Sequence, residues 1–135
     1  MKVLIVSDNH NERKIIEALP KIVHADLYLH LGDSEFSYDD DILKAFHCVR
    51  GNTDFDMEFK DEDLYNGSIF FTHGHLYNVN SNRDMLAAKA KHSAQHMHYT
   101  VIHMFLESKR LTTCTALTQD LFNHLEVNIQ SRMRF

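Results

Sequence analysis

A chain of 135 residues with a net charge of −5 is one domain, long enough to bury roughly two-thirds of its unfolded surface and acidic enough to argue against a nucleic-acid partner. It has no apolar run approaching the roughly 20 residues of a membrane span, and its opening MKVLIVSDNH lacks the cleavage site of a secretory signal. Cys48 and Cys114 show neither disulfide nor zinc spacing, so the expected location is the cytoplasm, with reduced thiols.

The first run, KVLIVS at 2–7, is apolar until its end, the pattern of a strand buried on both faces. ERKIIEALPKIV at 12–23 repeats apolar residues at helical spacing, with Pro20 interrupting. DLYLHLGD at 26–33 reads as a second strand running into a loop. Asp41 is placed to cap a short helix through residues 42–46. HCVRGN at 47–52 and SIFFTHGH at 68–75 each read as a strand followed by a turn or loop, and NSNRDMLAAKAK at 80–91 as a capped helix. Strands alternating with helices predict a mainly parallel sheet, or a sandwich built from such units.

Each strand ends on residues that carry chemistry: Asp8-Asn9-His10, Gly32-Asp33, Gly51-Asn52-Thr53-Asp54 and Thr72-His73-Gly74-His75. Ligands of open α/β sheets bind beyond the carboxyl ends of the strands. Carboxylate oxygen and imidazole nitrogen suit divalent manganese, iron, cobalt, nickel or zinc, and two such ions can clamp a phosphate and activate a water. Glycines before Asp33 and Asn52 let the backbone turn sharply, so that those side chains point at one centre. Singly these signals are weak: Asp8 could cap a helix, GN marks a turn, and HGH could be a polar loop. Their order, each at the end of an apolar run, is what makes them specific.

At SDNH, GDSE, GNTD and THGH the chain resembles the calcineurin-like metallophosphoesterases, in particular their small bacterial phosphodiesterases. The resemblance covers residues 1–90. It implies a four-layer α-β-β-α sandwich and two divalent metal ions, manganese first, with nickel, iron, cobalt or zinc as alternatives. Asp8 and His10 would hold one ion, Asn52 and His73 the other, and Asp33 would bridge them. Attack would come from a hydroxide bridging the ions, with Asn52, Asp54 and His75 as further catalytic candidates. Asp54 and His75 could equally orient a ligand by hydrogen bonding. Many relatives carry His where Thr53 stands; a threonine cannot be a comparable acid, which fits enzymes of activated phosphodiesters. The implied partner is a small-molecule phosphodiester, with neither membrane nor nucleic acid. The rival reading is a non-catalytic protein-interaction scaffold of the same fold.

The family continues to a GHxH motif, whose histidines complete both metal sites, and to an NPGS turn. Neither occurs here, and no Gly or Pro follows Gly74. His92, His96, His98 and His103 crowd the tail instead, and the HMH of 96–98 has the H-x-H spacing without its glycine. A change of reading frame near Lys91 accounts for this. With permitted third bases, the codons of Thr100 to Met104 read in the shifted frame as Gly-His-Thr-His, and those of Leu117 to Phe122 as Asn-Pro-Gly-Ser-Ile. Residues 91–135 are therefore expected to be an out-of-frame tail, leaving the fold incomplete or altered there and the activity impaired.

Overall fold

The computed structural model describes residues 1–77, 84–94, 99–105, 110–116 and 126–131. Among them, eight strands form two four-stranded sheets. The first sheet is parallel throughout: β1 (Lys2–Ser7) lies between β2 (Leu27–His30) and β8 (Glu126–Ser131), and β2 also pairs with β3 (His47–Cys48). The second is mixed: β4 (Glu62–Tyr65) runs antiparallel to β5 (Ile69–Thr72), β5 parallel to β6 (Tyr99–Phe105), and β6 antiparallel to β7 (Arg110–Ala116).

Three apolar clusters separate four layers. Strand alternation sends successive side chains to opposite faces. Val3 and Ile5 of β1 therefore meet Leu29, Ile69, Phe71 and Ile102 between the sheets. Leu4 and Val6 point the other way, onto Ile16 and Leu19 of helix α1 (Arg13–Ile22) and onto Phe36, Leu43 and Phe46. On the far side, Phe70 and Val101 pack against Leu86 and Ala90 of helix α2 (Asp84–Ser93). This is the α-β-β-α sandwich. Fully burying a side chain such as Phe71 contributes about 1.5–3 kcal/mol, so β1 and β5, buried on both faces, are held from either side.

The structure departs from the sequence reading at five places. Helix α1 runs through Pro20 without interruption. The expected helix after Asp41 is a single 3₁₀ turn, Asp41–Leu43, and its cap is Asp40, whose Oδ1 accepts the Ile42 N–H at 3.1 Å. Asp40 also takes both terminal nitrogens of Arg13, at 2.6 and 2.9 Å, which ties this turn to the start of α1. The third strand stops at Cys48 because the chain must turn at once into the Gly51–Asn52 loop. β4 was not anticipated; it joins β5 through Asn66 and Gly67, both at positive φ (48° and 68°), as Asn-Gly hairpin turns require. Finally, the tail does not leave β1 and β5 bare: β8 pairs with β1 in register from Lys2 to Ser7, and β6 with β5 from Ile69 to Phe71. His96 and His98 lie outside the described residues, and His92 is exposed on α2.

Candidate metal centre

The loops that leave β1, β2, β3 and β5 meet at one end of the sandwich. The first two run side by side, joined by Asp8 N–H to Gly32 O (3.0 Å), His10 N–H to Asp33 O (3.1 Å) and Asn11 N–H to Ser34 O (2.8 Å). Asp8, His10, Asn11, Asp33 and Glu35 all adopt positive φ, between 44° and 64°. That conformation disfavours any residue with a Cβ. Five such residues in two touching loops are strain of the kind that surrounding structure must impose, and it clusters at functional sites.

The third loop closes on the second through glycine. A Cβ on Gly51 would lie 2.1 Å from Asp33 Oδ1 and 2.4 Å from Asp33 N, and one on Gly32 would lie 2.4 Å from Gly51 N. Only hydrogen at both positions lets the GD and GN turns touch backbone to backbone. Asp54 fastens them together. Its Oδ2 accepts the N–H groups of Asp33 (2.8 Å) and Gly51 (2.7 Å), and its Oδ1 that of Glu35 (2.8 Å) with the Ser34 hydroxyl at 3.3 Å. Both oxygens of this buried carboxylate are thus engaged within the protein.

Three of the five residues expected to hold metal converge, and His10 is not among them. One ligand atom each from Asp8, Asp33 and His73 lies within 4.8 Å of the others. His73 Nδ1–H donates to Leu31 O at 2.7 Å; a neutral ring then presents a lone pair at Nε2. That Nε2 lies 3.0 Å from Asn52 Oδ1 and 3.6 Å from Asp33 Oδ2. With the ring neutral, three electron-rich atoms face one another with no proton to share. Asp33 Oδ1 is held by the Thr53 N–H at 2.9 Å, which fixes the carboxylate. On the other side, His10 Nε2 stands 3.8 Å from Asp8 Oδ1.

Two buried polar atoms have no partner among the described residues, Asp8 Oδ2 and His75 Nδ1. Leaving such groups unsatisfied is costly. Burial raises the Asp8 carboxyl above its ordinary pKa despite a hydrogen bond from Ser7 and the nearby His73 and His10. Burial, and then His73, lower His75, whose ring centroid lies 5.4 Å from that of His73. Unpartnered acceptors, facing lone pairs and a carboxylate–imidazole–amide donor set suit a divalent cation.

Three residues to which the sequence reading gave no role hold this centre. Glu35 Oε1 lies 2.7 Å from His10 Nδ1; the GDSE motif carried that signal. His30 is completely buried beneath the first two loops. Its Nδ1 accepts the Gly32 N–H at 3.1 Å, so its Nε2–H donates to Asn9 Oδ1 at 2.8 Å. Burial lowers its pKa to about 4. Asn9 lies in the SDNH motif, whereas nothing in sequence distinguishes His30 from an ordinary polar residue.

A family model described as the calcineurin-like phosphoesterase superfamily domain matches residues 1–116, past the residue 90 at which the motif resemblance ends. A curated relative, the probable metallophosphoesterase YsnB of Bacillus subtilis strain 168, is 39% identical over 84 residues. That alignment takes in 58% of this chain and 50% of the relative, so the chain spans about half the length of the curated protein it matches. A crystal structure of a conserved uncharacterized protein from Streptococcus pneumoniae TIGR4, a predicted phosphoesterase, superposes with a TM-score of 0.61 at 28% identity, covering 82% of this chain and 69% of that one.

Proposed function

The chain belongs to the calcineurin-like phosphoesterase superfamily, and from that premise we propose that its lineage is a dinuclear metallophosphodiesterase acting on small, activated phosphodiesters. The observation that carries the proposal is the convergence of Asp8, Asp33 and His73, with Asn52 and His10 beside them. Asp8 and His10 would hold one ion, Asn52 and His73 the other, and Asp33 would be shared. Manganese is the first candidate; nickel, iron, cobalt and zinc suit the same donors. When bound, such ions polarise a phosphoryl group and make a water acidic enough to attack it.

The protein's own groups supply the rest. Thr53 N–H and the Gly51 contact fix Asp33. Asp54 is proposed to hold the loops of Asp33 and Asn52 in register, the orienting alternative among the roles expected of it. Asn52 orients one face of the centre, and His75 lines it beside His73. Thr53 offers no acid to a leaving group, so esters whose leaving group needs no protonation are favoured; the preference for diesters over monoesters is proposed from the family resemblance. A pure scaffold would have no use for five strained residues around facing lone pairs, which places the interaction-protein reading second.

Residues 91–135 are proposed to be read out of frame. The support is the codon overlap that yields Gly-His-Thr-His and Asn-Pro-Gly-Ser-Ile in order, and the lack of Gly and Pro after Gly74. Sequencing the gene across codon 91 tests this directly. An inserted or deleted base is expected; third bases in codons 100–104 that forbid Gly-His-Thr-His would overturn it. For the activity, bis(4-nitrophenyl) phosphate and 4-nitrophenyl phosphate are offered with manganese to the 135-residue chain and to the frame-restored protein. The restored protein should prefer the diester and the chain as it stands should be weak. A preference of the restored protein for the monoester contradicts the substrate assignment.

A further inference from the structure

We propose that Glu35 is the positioning residue for His10, an inference that rests on the metallophosphodiesterase reading for its purpose but not for its test. The carboxylate fixes which ring nitrogen of His10 carries the proton, and so leaves Nε2 free to face Asp8.

The geometry argues it in three steps. A carboxylate is an acceptor only, so His10 Nδ1, 2.7 Å from Glu35 Oε1, must be the protonated nitrogen. In the neutral ring this leaves the lone pair on Nε2, the atom 3.8 Å from Asp8 Oδ1. That separation is too long for a hydrogen bond, so Asp8 does not hold the ring; Glu35 does. An isolated surface hydrogen bond would be weak and mobile, but Glu35 is not free to wander. Its backbone sits at φ 62°, and its N–H is bound to Asp54 Oδ1 at 2.8 Å. Glycine or asparagine would adopt that conformation more easily; what a glutamate adds there is a carboxylate aimed at His10. The chain Gly51–Asp54–Glu35–His10 thus runs from the loop of Asn52 to the side chain opposite Asp8. Histidines that bind metals commonly donate their second N–H to such a carboxylate, and losing that partner typically weakens metal binding about 10–100-fold.

The test uses the 135-residue chain, metal-free and labelled with nitrogen-15, at about pH 8.5, where imidazoles are neutral. Nitrogen–proton correlation spectra report the His10 tautomer. The native chain should show Nδ1–H. Glu35→Ala should move His10 toward Nε2–H, and Glu35→Gln, whose amide oxygen still accepts, should restore the native tautomer. Position 35 already carries a Cβ at positive φ, so alanine adds no new backbone strain. Calorimetric titration with manganese or zinc should then show binding weakened about 10–100-fold in Glu35→Ala and largely recovered in Glu35→Gln. A native His10 in the Nε2–H form, or a Glu35→Ala spectrum unchanged at His10, overturns the assignment, and the native spectrum decides even where a variant does not fold. If the native chain takes up no metal while the tautomer still follows Glu35, the positioning role stands and the metal reading falls.

Discussion

Gly51→Ala is the smallest change that should dismantle the centre. The added methyl would stand 2.1 Å from Asp33 Oδ1, 2.4 Å from Asp33 N and 2.8 Å from Asp33 Cγ, where Cβ contacts below 3.0 Å are essentially never seen. One of these neighbours is backbone, held by Asp54, so no side-chain rotation clears the space. The two loops must part by about 1 Å. Overpacking of this kind costs about 1–3 kcal/mol, and the hydrogen bonds stretched with it, Thr53 N–H to Asp33 and Gly51 N–H to Asp54, are charge-assisted and worth about 1.5–3 kcal/mol each if lost. Partial relaxation leaves about 3–5 kcal/mol. With an unfolding entropy near 2.1 cal/mol/K per residue, that lowers the melting temperature of a chain this long by roughly 10–18 °C. Differential scanning calorimetry reads it, with manganese binding measured alongside, since moving Asp33 should weaken the ion as well. A melting temperature within about 2 °C of native, with unchanged metal affinity, would show that the GD and GN turns do not depend on touching.

Asp54→Asn should cost about 3–5 kcal/mol in urea unfolding, because its new amide group must oppose backbone donors that now meet a carboxylate; a loss below about 1 kcal/mol would contradict its role as the clasp. His30 makes the fold acid-sensitive with a defined sign. Its folded pKa is lowered from 6.5 to about 4, so at intermediate pH the unfolded chain binds the extra proton. The stabilisation is complete above 6.5, declines as pH falls through the window down to about 4, and totals on the order of 3 kcal/mol. Native protein should therefore lose more stability than His30→Gln between about pH 7 and pH 4.5; parallel losses would refute it.

Where one principle dominated, the fold was legible. The unbroken apolar runs of β1 and β5 and the helical spacing of Ile16 and Leu19 placed those elements to within a residue or two. β4 was missed because Glu62 and Asp63 gave it no apolar alternation, although the Asn66-Gly67 turn beside it was there to be read. Asp40 took the cap from Asp41 because Arg13, distant in sequence, fixes its carboxylate. Strands β6 to β8 were not anticipated, since no glycine or proline marks their ends. In the centre, the groups that point at it could be named from motif order. Their supports could not: His30, Asn9 and the carboxylate of Glu35 act through contacts made only once the loops have met.

Manganese titration of the chain and of Asp33→Asn tests the metal centre most directly, because Asp33 alone would serve both ions. The native chain should bind manganese, and the variant should bind it more than about 100-fold more weakly, beyond the loss expected for an outer-shell partner, while melting as a folded protein. No manganese uptake by the native chain, or equal affinity in Asp33→Asn, would mean that the facing lone pairs of Asp33, Asn52 and His73 do not form a metal site.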